Sequence, residues 1–105
     1  MRVVYRQAAL NELAALVETV AADKPQAARR VLAVIENYVE HLASFPLSAA
    51  IDESFANPPL KGMRRGVVTP YSSYVVFYFA REDEIEVVSI RRAERSAVSS
   101  SWYKT

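Results

Sequence analysis

Five arginines are the residues in this chain best suited to chemistry. Arg64 and Arg65 stand together in "MRRG"; Arg91, Arg92 and Arg95 crowd "IRRAERS". A guanidinium fork matches both carboxylate and phosphate, so such a set suits gripping an acidic partner or steadying a phosphate. Cutting RNA through its 2′-hydroxyl would also require a base and an acid. Glu84 and Glu86 flank a charged turn and read as solvated strand residues, and Tyr71, Tyr74 and Tyr78 read as core or cross-strand packing. His41, the only histidine, sits beside Leu42 on a helix, far in sequence from the arginines. No residue is therefore assigned to catalysis; in a nuclease the site would be Arg64, Arg65, Arg91 and Arg95. As a binding surface it comprises Arg64, Arg65, Arg91, Arg92 and Arg95, joined by Trp102 and Tyr103, because exposed Trp and Arg are frequent anchors at interfaces. Along a strand Arg91 and Arg92 alternate sides, which argues against both lining one site.

Composition narrows the classes of function. The chain has 105 residues, 51% hydrophobic and 24% charged, enough for one core and one domain, 1–105. It has no cysteine, so disulfides and thiolate metal sites are excluded, and a metal centre would rest on carboxylates alone. No metal or other cofactor is expected. No apolar stretch is long enough to span a bilayer, and "AALNELAALVETVAA" is interrupted by Glu12 and Glu18, a poor signal peptide. The chain reads as cytoplasmic, with no membrane partner. Net charge is +1 but uneven: residues 1–60 carry five Lys/Arg against seven Asp/Glu, and residues 61–105 carry eight against five. That excess is too small for a general nucleic-acid binder, though it permits a local basic patch.

The elements that must position the arginines follow from periodicity. "MRVVY" suits a short strand. From about Gln7 to Ala22, Leu10, Leu13, Val17 and Val20 recur at helical spacing, with Glu12, Glu18 and Thr19 off that stripe. Pro25 breaks this helix and suits the first turn of another, with Asp23 available as its cap. Ala28, Val31, Ile35, Tyr38, Leu42 and Phe45 then form a second stripe, flanked by Leu32 and Val39, until Pro46 ends it. A two- or three-residue joint makes the two helices an antiparallel hairpin over about 7–45. A proline-rich loop covers 46–61. From Met63 the period becomes two: "MRRGVVT" is one strand, "YVVFYFA" is apolar on both faces and central, and "IEVVSIRR" pairs with it across the "REDE" turn. The sheet spans about 63–92 and a tail occupies 93–105. The class is α+β, order β-α-α-β-β-β: an N-terminal strand, and a helical hairpin packed on a three- to four-stranded antiparallel sheet.

Several stretches in this order carry a family likeness: "ADKPQAARR" at the helical joint, "HLASFP" at the end of the second helix, Gly62-Met63-Arg64 opening a strand, and Tyr74 to Tyr78 as "YVVFY". Together they resemble the RelE/ParE superfamily, the toxins of bacterial type II toxin–antitoxin pairs, over nearly the whole chain and closer to the ParE branch. The resemblance implies a toxin that inhibits DNA gyrase and replication and arrests growth, neutralised by a cognate antitoxin. The alternative is the RelE activity, ribosome-dependent cleavage of mRNA, with the ribosome and mRNA as target. The RelE pattern would place reactive side chains at positions occupied here by Val75, Ala93 and Ser99, and near Gly66 and Val68. The ParE pattern would close its last strand with a His-Gly-x-Arg-like turn, where this chain has "RRAER". A second alternative is therefore a non-toxic binding module of the same fold.

Overall fold

The computed structural model describes residues 1–69 and 73–93. Within them the order is β1 (Arg2–Tyr5), α1 (Gln7–Asp23), α2 (Pro25–Ser44), β2 (Arg64–Val67), β3 (Tyr74–Ala80) and β4 (Glu84–Arg92), as the periodicity predicts. The helical joint is tighter than expected. Lys24 alone separates the helices, and its N–H closes α1 onto the Val20 carbonyl at 2.7 Å. Asp23 is the last residue of α1 and does not cap α2. Pro25 makes that cap dispensable, since its φ is preset and it has no N–H to satisfy. At the far end Phe45 leaves the helix at φ −132°, ψ 71°, the displacement imposed by the following Pro46.

The strands order as β1-β4-β3-β2. β2, β3 and β4 are antiparallel neighbours, as expected, but β1 joins β4 in parallel, with Val3 beside Ile85 and Tyr5 beside Val87. The sheet is thus mixed. A parallel pair needs a long crossover, and here both helices, the loop and two strands lie between its members.

β3 is buried on both faces. On one, Tyr74, Val76 and Tyr78 pack with Ala9 and Leu13 of α1 and with Val31, Ile35, Val39 and Leu42 of α2. On the other, Val75, Phe77 and Phe79 meet Val88, Leu60 and Met63, with Phe55 edge-on to Phe77 at 6.0 Å between ring centroids. The proline-rich loop therefore lids the face that the helices leave open. Each large side chain buried this way contributes roughly 1.5–3 kcal/mol. Two stripe residues stay outside: Leu10 is 42% exposed and Phe45 58%. The stripe of α1 runs instead through Ala9 and Leu13, with Leu16, Val17 and Val20 beside them, because the small Ala9 can sit flush on the sheet.

A bulge divides β4. Phe77 pairs with Ser89 but Tyr78 pairs with Val87, so Val88 is the extra residue. It moves the helix-side row from Ile85 and Val87 to Ile90. Without it Ile90 would turn away from the helices.

The loop also fastens the outer edge of β2. Arg65 N–H donates to Ala50 O at 3.1 Å and Asp52 N–H to Met63 O at 2.8 Å. Gly62 enters that strand at φ +91°, a conformation that side chains disfavour. Gly66 has a different reason. A Cβ there would lie 2.3 Å from the Tyr38 hydroxyl and 3.0 Å from its ring, so α2 rests directly on the backbone of β2. Gly66→Ala should cost about 1–3 kcal/mol in chemical denaturation through overpacking. Tyr38→Phe removes the nearest atom and should recover part of that loss in the double variant, which a thermodynamic cycle would measure.

Candidate functional site

The sheet spreads the candidate arginines over two regions. Arg64 and Arg65 lie on β2, with β3 between them and β4. Arg64 is turned to the loop, where its Nη1 donates to Ala49 O at 2.7 Å. Tyr78 donates its hydroxyl to Pro46 O at 2.7 Å, and burial raises its pKa, so it stays a neutral phenol. Arg65 pairs in register with Phe77 in the middle of β3. Arg95, Trp102 and Tyr103 lie outside the described residues, as does Tyr71.

Arg91 and Arg92 belong together. They alternate along β4, yet both line one groove of about 580 Å³, shared with Ile90 and with Glu12, Ala15, Leu16 and Thr19 of α1. The expectation that alternation keeps them out of one site fails, because this groove wraps the edge of β4 rather than lying on a face. Glu12 links its two walls. Its carboxylate accepts from Ser89 Oγ at 2.8 Å and from Ile90 N–H at 3.2 Å, and it pairs with Arg91 Nε at 3.1 Å. Ser89, 1% exposed, in turn accepts from Arg91 Nε at 3.0 Å. A buried hydroxyl with partners on both sides is a fully satisfied network, rigid at low local dielectric.

Sequence reasoning missed Glu12 and Ser89. Glu12 reads as lying away from the α1 stripe, whereas its carboxylate reaches β4. The signal was Ser89 itself, one hydroxyl set inside the apolar run "VVSI", which must find a partner if buried.

Elsewhere the charges are stitched into the frame. Glu86 accepts from Arg6 Nε and from Arg81 Nη2, each at 2.7 Å, and Arg2 pairs with Glu84. Arg81 also stacks over Phe79, 4.3 Å from the ring centre. Glu84 and Glu86 thus tie β4 to the start of the chain and to the turn rather than standing alone in solvent. His41 lies on α2 between Tyr38 and Phe45, with ring centroids 6.0 and 5.1 Å away. Among the described residues no cluster of three His, Asp or Glu could hold a metal ion, and no helix is long and apolar enough to cross a membrane.

The family described as the ParE toxin of type II toxin–antitoxin system, parDE, matches residues 3–97. The chain belongs to the ParE toxin family. The ParE match takes in both helices, the four strands and the groove. Among solved structures the chain is similar to one from the chromosomal ParDE toxin–antitoxin system of P. aeruginosa. That match has 18% identity and a TM-score of 0.70 over 88% of this chain and 95% of the other. It is also similar to a conserved hypothetical protein of Helicobacter pylori, solved in solution, at 11% identity and a TM-score of 0.46 over 90% and 96%. No curated protein matches the sequence.

In this ParE-family chain, stability at low pH should depend on Glu86. The Arg6 hydrogen bond is the main force lowering its pKa, Arg81 adds to it, and burial acts in the opposite direction. A carboxylate with a lowered native pKa contributes stability that is present above its unfolded pKa. That contribution fades as pH falls through the native pKa. Glu86→Gln should therefore flatten the acid limb of a stability-versus-pH curve while lowering the neutral plateau, read by denaturant melts between about pH 3 and pH 7.

Proposed function

We propose that this toxin acts by gripping proteins: it poisons DNA gyrase, halts replication, and is neutralised by a cognate antitoxin encoded beside it. The family match over residues 3–97 carries this reading. The site geometry supports it. Arg91 and Arg92 line a groove between a helix and a strand edge, a form suited to holding a segment of another chain. The one histidine, a natural proton carrier, lies on α2 between two aromatic rings rather than in that groove.

Inducing the chain alone and together with the adjacent gene tests this. Growth arrest with altered DNA supercoiling and intact transcripts is expected, relieved by co-expression. Cut transcripts with normal supercoiling would instead establish an mRNA endonuclease of the RelE kind. Normal growth with both intact would establish a non-toxic binding module.

The binding surface makes a further distinction. Deleting residues 99–105 should abolish toxicity while the fold and much of the antitoxin binding persist, because Trp102 and Tyr103 are the anchors for the target. Losing an anchor of that type typically costs an interface about 2 kcal/mol or more. Arg64→Ala, Arg91→Ala and Arg95→Ala should weaken toxicity by degrees, in step with affinity for gyrase. An arginine whose loss ends activity with target affinity unchanged would mark an enzyme.

A further inference from the structure

The stretch 45–51 leads out of α2 and passes round one arginine. Phe45 ends the helix, and Pro46 O accepts from the Tyr78 hydroxyl at 2.7 Å. Ala49 O accepts from Arg64 Nη1 at 2.7 Å, and Ile51 bridges Arg64 in antiparallel register. These bonds fasten the backbone to β2 and β3, yet the large side chains project: Phe45, Leu47 and Ile51 are 58%, 69% and 43% exposed. Phe45 is braced as well, its ring centroid 5.1 Å from that of His41. Apolar side chains grouped in this way on a fixed backbone mark a contact surface.

Arg64, partly buried, is the cation of that surface. Among the described residues it forms no ion pair, and its partner is a backbone carbonyl. Asp52, one residue past Ile51, instead accepts from the Ser54 N–H and hydroxyl at 3.0 and 2.6 Å. The acids of α2, Glu36 and Glu40, act on Tyr5 of β1.

We propose that Phe45, Leu47 and Ile51, with Arg64 among them, form the surface that docks the toxin's target: a folded protein face that brings a carboxylate to Arg64 and apolar side chains to the other three. This rests on the reading of the chain as a gyrase poison, and it says which of the two arginine regions meets the target. Charge and shape select the occupant. A guanidinium without a carboxylate gains from an acidic partner, and more so where docking excludes water. Projecting side chains suit a folded surface, whereas the Arg91–Arg92 groove suits a segment. Single-stranded nucleic acid calls for a run of cations and flat rings to stack on, and Leu47 and Ile51 supply neither. A second copy docked two-fold on this face would set Arg64 against Arg64.

The test titrates whole gyrase and, separately, the product of the adjacent gene against the full chain. Phe45→Ser with Leu47→Ser should weaken gyrase binding roughly tenfold or more and leave antitoxin binding within about twofold, since anchors act on the partner they touch. Leu47→Ser alone, at the more exposed position, should keep the fold and lose part of the gyrase affinity, so it decides if the double variant misfolds. Arg64→Gln removes the charge and leaves an amide donor; its gyrase affinity should fall and depend less on salt than that of the unaltered chain. Unchanged gyrase affinity, an equal loss of gyrase and antitoxin binding, or a salt dependence that survives Arg64→Gln overturns the proposal. Loss of binding to RNA or ribosomes in place of gyrase also overturns it. If the unaltered chain does not bind gyrase, the gyrase reading fails first and this inference with it.

Discussion

The two-sided burial of β3 is the constraint from which the rest of the structure follows. A seven-residue run with six buried side chains cannot face water on either side, so both faces must be covered by something. The helical hairpin covers one. The other is lidded by Phe55, Leu60 and Met63 from the proline-rich stretch and its exit. Loop 46–61 is therefore part of the core rather than a tether, and it closes the β2 edge as well. β3 carries no charged residue, and the charges of the sheet lie on β1, β2 and β4.

Those charges divide by location. At the β1 end of β4 they form cross-links among Arg2, Arg6, Arg81, Glu84 and Glu86 that tie the N-terminus to the turn. Exposed pairs of this sort contribute little individually. At the other end Glu12 and Arg91 pair around a buried serine, in surroundings less screened by water. The same two residue types thus serve as surface stitching in one place and as part of a rigid groove in another, and burial makes the difference.

The fold was largely legible in the sequence, since long amphipathic stripes and a change of period to two leave few arrangements open. What escaped was local. The capping role expected of Asp23 was lost to the preset φ of Pro25. Leu10 and Phe45 satisfy a periodic pattern yet lie past the reach of the sheet, which no pattern along one helix can reveal. The parallel entry of β1 depends on where a crossover lands, a property of the whole chain. For the site, the arginines could be named but not placed: one surface was expected, and β3 separates Arg64 and Arg65 from Arg91 and Arg92. Alternation along β4 sets Arg91 and Arg92 apart, and only the edge-wrapping groove reunites them. Glu12 is distant from Ser89 in sequence and becomes its partner only when α1 is laid against β4.

The bulge at Val88 has a consequence for how this fold can diverge. It breaks the phase of β4, so the residues before it lie against β1, and those after it lie against α1, with Ile90 still seated in the common core. Drift in Arg91 and Arg92 can rewrite what the rim presents without disturbing the alternation that seats Ile85 and Val87. A lineage of such chains can therefore vary its groove rim while keeping its architecture.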